Sequence, residues 1–185
     1  MVAELSDEKI LQRVKGGDVS ELTELFERYH VKLYNFFLKL TFDKAASEDL
    51  TQNLFYRVIR YRHSFDRGNG SFKSWIYQIA RNIHADYCKD QQKRTDRFRM
   101  TEDGEAFPGG HLSGHEGTYS EEQFERLESA MSGLSADQRE LLVLSRYHGL
   151  KYEEISRIKQ ISVPAIKVQV HRAIKQLRSL YFKKS

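Results

Sequence analysis

Apolar residues recur at spacings of three and four along most of the chain, which is the period of a buried helix face. In the first half this predicts four helices: one capped by Ser6, a second starting near residues 18–20, a third over about 45–62, and a fourth capped by Ser71. The core positions expected on the last three are Leu22, Leu25, Phe26, Tyr29, Leu33, Phe36, Phe37, Leu40, Leu50, Leu54, Phe55, Val58, Ile59, Phe72, Trp75, Ile76, Ile79 and Ile83. No strand-like alternation competes with these runs, so the predicted fold class is all-α.

The second half of the chain has the pattern of a helix-turn-helix. Two capping boxes, Ser120 with Gln123 and Ser135 with Gln138, each predict a helix start, and Gly149 ends the second of these helices. A short amphipathic helix over residues 152–158 and a turn at 160–162 follow. A longer helix then opens at residue 163, with a proline in its first turn.

This longer helix is predicted to have two faces. Its apolar stripe consists of Ile166, Val170, Ile174 and Leu177, and its basic stripe of Lys167, His171, Lys175 and Arg178, with Arg172 beside them. Such a helix can pack by one face and offer the other to the major groove of DNA. An ordinary bundle helix with a solvated basic face fits the same pattern.

Glycine divides the chain in two. Residues 104–117 hold five of the 11 glycines together with Pro108 and show no sustained periodicity. This composition predicts a flexible acidic linker over residues 96–119, between two small helical domains at 1–95 and 120–185.

Charge is strongly segregated along the chain, although the whole has a net charge of only +4. Residues 57–99 carry 11 basic against 4 acidic residues, and residues 139–185 carry 11 against 3. The segments before them are acidic, with net charges of −3 over residues 1–56 and −8 over residues 100–138. Two separate basic blocks favour two polyanion-binding surfaces, although lysine-rich solvated helix faces are the simpler alternative.

Several protein classes are disfavoured by the sequence. A single cysteine, Cys88, excludes a disulfide scaffold and a cysteine-rich zinc module. The acidic start of the chain does not resemble a signal peptide, and no apolar stretch is long enough to span a membrane. His111, His115 and Glu116 lie in the glycine-rich segment, where no helix fixes their geometry. We therefore expect a cytoplasmic protein with no catalytic residue, metal or cofactor.

Five stretches resemble a known family. Residues 134–144 (LSADQRELLVL), 152–155 (YEEI) and 163–173 are similar to the fourth domain of bacterial sigma factors. Residues 48–55 (EDLTQNLF) resemble the helix by which sigma domain two grips the clamp of RNA polymerase, and residues 70–82 (GSFKSWIYQIARN) resemble the segment that reads the minus-ten promoter element. The order of these stretches and the short chain are typical of the extracytoplasmic-function (ECF) group of alternative sigma factors in the sigma-70 family.

The resemblance implies an alternative sigma factor that directs promoter recognition, DNA opening and transcription initiation. Its partners would be core RNA polymerase, through the β′ clamp and the β flap, promoter DNA as duplex and as melted single strand, and an anti-sigma factor. The implied polymerase-binding residues are Glu48, Asp49, Leu50, Gln52, Asn53 and Phe55. The implied minus-ten residues are Phe65, Asp66, Arg67, Asn69 and Ser71, as a pocket for an extruded base, and Tyr77, Ile79, Ala80, Asn82 and Asp86 along the strand path. The implied minus-thirty-five residues are Pro164, Ala165, Lys167, Val168, His171, Arg172 and Lys175.

The chain departs from the family pattern at several positions. Gln160 stands where the family often has glycine, and Asn53 where it usually has glutamate. Apolar Pro164 and Val168 at the opening of the last helix reduce hydrogen bonding to base edges, which leaves open an additional DNA-targeting factor. A stand-alone helix-turn-helix regulator, binding duplex DNA without polymerase, is the alternative function.

Overall fold

The computed structural model describes residues 5–99 and 121–183, and every regular element within these ranges is helical. The chain divides into two compact units, residues 1–110 and 111–185. The predicted all-α fold is confirmed. Of the predicted linker, residues 96–99 belong to a helix. Residues 100–120, which include His111, His115 and Ser120, lie outside the described ranges. None of the described helices has the length and apolarity needed to cross a membrane.

The first unit has four helices: α1 (Asp7–Lys15), α2 (Leu22–Thr41), α3 (Lys44–Tyr61) and α4 (Phe72–Arg99). Single 3₁₀ turns at Val19–Glu21, Arg62–Ser64 and Arg67–Asn69 lie between them. Two caps expected from the sequence are present. Ser6 Oγ accepts a hydrogen bond from the backbone N–H of Lys9, and Ser71 Oγ from that of Ser74, so both satisfy amides that the helix start leaves unpaired.

All four helices contribute to one apolar core in this unit. Its members are Ile10, Leu11, Val14, Leu25, Tyr29, Leu33, Phe36, Phe37, Leu40, Leu50, Leu54, Phe55, Val58, Phe65, Phe72, Ile76, Tyr77, Ala80 and Ile83. Five positions expected in it lie at its margin instead: Phe26 is 44% exposed, and Leu22, Ile59, Trp75 and Ile79 are only partly buried.

A polar cluster fixes α1 to α2. The Asp7 carboxylate accepts hydrogen bonds from Arg28 Nη1 at 2.7 Å and from the Tyr29 hydroxyl at 2.5 Å. The hydrogen bond to Asp7 raises the pKa of Arg28, and burial, with a further contribution from Asp7, raises the pKa of Tyr29. Tyr29 therefore keeps its proton and remains a donor to Asp7.

The second unit contains α5 (Glu121–Ser132), α6 (Ala136–Leu142), α7 (Tyr152–Lys159) and α8 (Val163–Phe182). A π-helical turn over Val143–Tyr147 extends α6. The capping box of Ser135 and Gln138 is present, and Gly149 has the left-handed φ of 58° that its position requires.

The core of this unit lies between α5, α6, α7 and α8. It consists of Ala130, Met131, Leu134, Leu141, Leu142, Val143, Leu144, Leu150, Ile155, Ile158, Ile166, Val170 and Ala173. On α8 the buried residues are Ile166, Val170 and Ala173. Ile174, which the sequence placed in the apolar stripe after Val170, is 37% exposed. Since 3.6 residues complete a turn, a buried face alternates steps of four and three, and two steps of four in succession rotate away from it.

Candidate nucleic-acid and polymerase interfaces

The expected polymerase-binding residues all lie on α3 but point in two directions. Glu48, Asp49, Gln52 and Asn53 are exposed. Leu50 and Phe55 are each 7% exposed and pack in the core, where the Phe55 ring lies 4.7 Å from that of Phe26 on α2. The same periodicity that exposes their neighbours turns Leu50 and Phe55 inward, although Leu50 still borders the groove that Asp49 and Asn53 line.

The exposed residues of α3 form two flanks of one ridge. Asp49 and Asn53 line an open groove of about 430 Å³ between α3 and α4. Glu48 lies on the other flank, facing α2, where its charge adds to burial in raising the pKa of Tyr34. A partner that engages both flanks would have to cover the crest of α3.

Asp86 belongs to this groove. Both terminal nitrogens of Arg57 on α3 lie 3.3 Å from Asp86 Oδ2. Asp86 lies fourteen residue steps, about 21 Å of helix axis, beyond Phe72 at the start of α4. The structure thus places Asp86 beside Asp49 and Asn53, although the sequence grouped it with the minus-ten residues.

The loop over residues 65–71 has a defined shape. Asp66 accepts two hydrogen bonds inside it, from the backbone N–H of Gly68 at 2.9 Å and from Asn69 Nδ2 at 3.1 Å. Phe65 is 7% exposed, and its ring packs edge-on against that of Trp75 at 5.5 Å. Phe65 and Asp66 therefore shape the loop. Asp66, Arg67 and Asn69 are exposed, and Ser71 is half-buried.

Two aromatic residues on α4 have exchanged their expected places. Tyr77, expected along a DNA strand, is 1% exposed and packs edge-on against Phe36 of α2 at 5.6 Å; burial raises its pKa. Trp75, expected in the core, is partly exposed beside the loop. Ala80 is fully buried, so of the predicted strand path only the half-buried Ile79 and the exposed Asn82 and Asp86 reach the surface.

One further exposed aromatic residue precedes the loop. Tyr61, at the end of α3, is 46% exposed, and the Arg60 guanidinium lies 5.8 Å from the centre of its ring. Its place before the loop is a signal that the sequence carried but could not distinguish from a solvated side chain.

The basic face of α8 is placed as the sequence predicts. Six of the seven expected minus-thirty-five residues are exposed and Ala165 is half-buried; the exposed ones are Pro164, Lys167, Val168, His171, Arg172 and Lys175. Ser162 caps the helix by accepting from the backbone N–H of Ala165. The side chains that could meet a DNA groove therefore share one solvent-facing side of a regular helix.

The first helix of the helix-turn-helix, α7, is anchored to α6 by the ammonium of Lys159 and two carboxylates. Lys159, the last residue of α7, has a side chain only 6% exposed and donates to Asp137 at 3.0 Å and to Glu140, both on α6. The next residue, Gln160, takes a left-handed φ of 56° that suits glycine better. Lys159 thus fixes the turn at the point where its backbone is least favourable.

Other candidate chemistry finds little support in the described ranges. There, no group of three His, Cys, Asp or Glu side chains is placed to hold a metal ion. Cys88 is exposed on α4, with its Sγ 3.5 Å from His84 Nε2.

Comparison with known proteins places both units in one family. The family described as Sigma-70 region 2 matches residues 25–94, and that described as Sigma-70, region 4 matches residues 124–177. The chain is 33% identical over 162 residues to ECF RNA polymerase sigma factor SigM of Bacillus subtilis, covering 86% of this chain and 94% of SigM. It is 30% identical over 156 residues to SigX of the same organism, covering 83% of this chain and 80% of SigX.

A solved structure shares the fold. The sigma factor RpoE from Bartonella quintana, in complex with the anti-sigma factor NepR, superposes with a TM-score of 0.74 at 24% identity, over 86% of this chain and 96% of that one. Two sigma-70 regions in their expected order and relatives matched over most of their length lead to one conclusion: the chain belongs to the ECF group of the sigma-70 family, the promoter-recognising sigma factors of RNA polymerase.

Proposed function

We propose a division of this function between two domains, residues 1–95 and 120–185, joined by a linker at 96–119. The first would bind the polymerase clamp and read the minus-ten element, and the second would read the minus-thirty-five element and meet the β flap. The observation that carries this proposal is that each unit has one exposed candidate surface for DNA. The first unit has a loop held by internal hydrogen bonds, and the second has a basic helix face.

The α3 ridge is our proposed clamp-binding surface. Glu48, Asp49, Gln52 and Asn53 would contact a basic partner helix, and their exposure supports this role. We add Asp86 to this surface because it lines the same groove as Asp49 and Asn53. Leu50 and Phe55 would act indirectly, by holding α3 against the core.

The loop over residues 65–71 is our proposed pocket for a base extruded from the melted minus-ten element. Flipping a base out costs stacking energy, which a protein recovers by hydrogen bonds to the base edge and by contacts with apolar or aromatic side chains. Asn69 and Arg67 are exposed for the first task, and Trp75 borders the loop for the second. The melted strand would then pass along Ile79 and Asn82, with Tyr61 as a further stacking platform.

The exposed face of α8 is our proposed minus-thirty-five reader. Lys167, His171, Arg172 and Lys175 would contact phosphates or base edges, and such contacts position the helix in the groove. At the start of the helix, Ala165 and Val168 would offer methyl groups to thymine rather than hydrogen bonds. A reader with so few base-edge donors leaves room for an additional targeting factor.

Three further assignments follow from this role. The protein would act in the bacterial cytoplasm, where the polymerase lies, and would perform no catalysis itself. An anti-sigma factor would inhibit it, as NepR is bound to the Bartonella sigma factor.

The proposed function can be tested by DNA binding. Upstream fragments of the source genome are mixed with the purified protein, with and without sigma-free bacterial core polymerase, and bound fragments are recovered and sequenced. We expect a discrete set of fragments only when core polymerase is present. Tight recovery of duplex sites by the protein alone would instead support a stand-alone regulator.

A further inference from the structure

The loop that we assign to the minus-ten element is held at both ends by α1. Lys15 Nζ donates to the backbone carbonyl of Phe65 at 2.5 Å, across 50 positions of sequence. Glu8 Oε1 accepts from the backbone N–H of Phe72 at 3.1 Å, across 64 positions. These contacts bracket the loop, yet α1 lies before the residues matched as region 2, which begin at 25.

We propose that Lys15 and Glu8 are positioning residues that set the shape of this loop, and thereby the selectivity for bases of the minus-ten element. The inference rests on the function proposed above for the loop. Neither side chain needs to touch DNA, because each acts through the backbone of a loop terminus.

Both contacts are of the stronger kinds. The Lys15 ammonium makes a charge-assisted hydrogen bond to a carbonyl and also lies 5.3 Å from the centre of the Phe65 ring, within cation–π range. The Glu8 carboxylate caps the first turn of α4, where the helix dipole favours a negative charge and where backbone amides lack helical partners. Both side chains are half-buried, which limits screening by solvent.

The helix that carries Lys15 and Glu8 is itself fixed. Asp7, the residue before Glu8, binds Arg28 and Tyr29 of α2, so α1 cannot shift without breaking that cluster. Within the loop, Asn69 donates a hydrogen bond to Asp66, which directly follows Phe65 at the end that Lys15 holds. Displacement of Phe65 would therefore be transmitted to the side chain that we expect to read the base.

The chain contains its own reporter of loop position. Trp75 is the single tryptophan of the sequence, and its ring contacts those of Phe65 at 5.5 Å and Phe72 at 5.8 Å. Release of Phe65 would expose Trp75 to solvent. Quenching of its fluorescence by acrylamide thus reports whether Lys15 and Glu8 hold the loop in place, and it needs neither DNA nor polymerase.

The test compares variants of the full chain in transcription with core polymerase. The templates are a promoter recovered with the wild-type protein and copies of it carrying single base changes in the minus-ten element. The readout is a ratio, the amount of transcript from the unchanged promoter divided by the amount from each altered copy. We expect Lys15→Met to lower this ratio about tenfold, the scale of one charged hydrogen bond, and to increase Trp75 quenching, while core binding is unchanged. Lys9→Met, an exposed lysine on the same helix, is the matched control and should behave as wild type.

A second pair of variants covers the case in which Lys15→Met does not fold. Glu8→Ala should lower the ratio, whereas Glu8→Gln, whose amide oxygen still accepts from Phe72, should restore most of it. The inference is overturned if Lys15→Met and Glu8→Ala keep the wild-type ratio while Asn69→Ala loses it. If wild type and Asn69→Ala show the same ratio, the proposed function of the loop fails, and the inference with it.

Discussion

The two proposed DNA-reading surfaces are built by different means. On α8 the exposed residues follow from helix period alone, so each side chain is aimed by its immediate neighbours. The loop of the first unit takes its shape from Asp66 within it and from contacts 50 and 64 positions away. A substitution on α8 should therefore have a local effect, whereas the loop should respond to changes in a distant helix.

The largest effect is expected at the anchor of the helix-turn-helix. Lys159→Met leaves Glu140, only 7% exposed, without its buried ammonium partner, and should lower the free energy of unfolding of the second unit by about 3 kcal/mol. Urea unfolding followed by far-ultraviolet circular dichroism measures this change. Lys159→Met combined with Glu140→Leu should recover most of the loss, because no buried charge remains. Equal losses in the single and double variants would show that the pair does not anchor the turn.

The α3 ridge lies in the first unit, but, as on α8, its exposed side chains follow from the helix period. Asp49→Ala together with Gln52→Ala removes exposed side chains only, so we expect about a tenfold weaker affinity for core polymerase with the melting temperature unchanged. Fluorescence anisotropy with labelled protein measures the affinity. Glu27→Ala, which removes an exposed carboxylate from α2, is the control and should bind as wild type. Undiminished binding by the double variant would contradict the assignment of the ridge.

Phosphate contacts on α8 should show in the salt dependence of binding. For the protein with core polymerase, Lys167→Gln and Arg172→Gln should each reduce the slope of log affinity against log salt by roughly 0.9 on duplex that carries the upstream element. The two reductions should add, since both side chains are exposed on one regular helix. Lys151→Gln, an exposed lysine before α7, should leave the slope unaltered. An unchanged slope in the α8 variants would mean that these side chains do not touch DNA.

The smallest effect concerns pH and the core behind the loop. Burial raises the pKa of Tyr77 and Tyr29, so the folded state holds their protons more tightly than the unfolded state. Stability is therefore complete below the ordinary tyrosine pKa of about 10 and falls as pH rises above it. Tyr77→Phe should weaken this alkaline loss in unfolding measured between pH 9 and 11. An identical pH dependence in Tyr77→Phe would show that this hydroxyl does not contribute.

The regular helices were predictable from the sequence, because side-chain period and capping residues act over a few positions. Ser135 with Gln138, Gly149 and the exposed face of α8 are confirmed for this reason. The failures lie where neighbouring helices decide. Tyr77 and Trp75 both have helical spacing to core residues, and this spacing does not show that Tyr77 packs against Phe36 of α2 while Trp75 lies beside the loop.

The candidate site shows the same limit. Sequence found the loop and its exposed Asn69, but nothing in the pattern of α1 indicates that Lys15 reaches the carbonyl of Phe65. The family resemblance assigns Asp86 to the strand path, yet Arg57 on α3 holds it in the groove beside Asp49. Contacts of this kind depend on how helices cross, which periodicity does not encode.

The most direct test of this account is transcription in vitro with mapped start sites. Purified protein, sigma-free bacterial core polymerase and upstream fragments of the source genome are combined, and the 5′ ends of the transcripts are sequenced. We predict discrete starts that require the protein, share a minus-ten sequence, and lose dependence on that sequence with Asn69→Ala. An absence of protein-dependent starts, together with tight binding of duplex DNA by the protein alone, would contradict it.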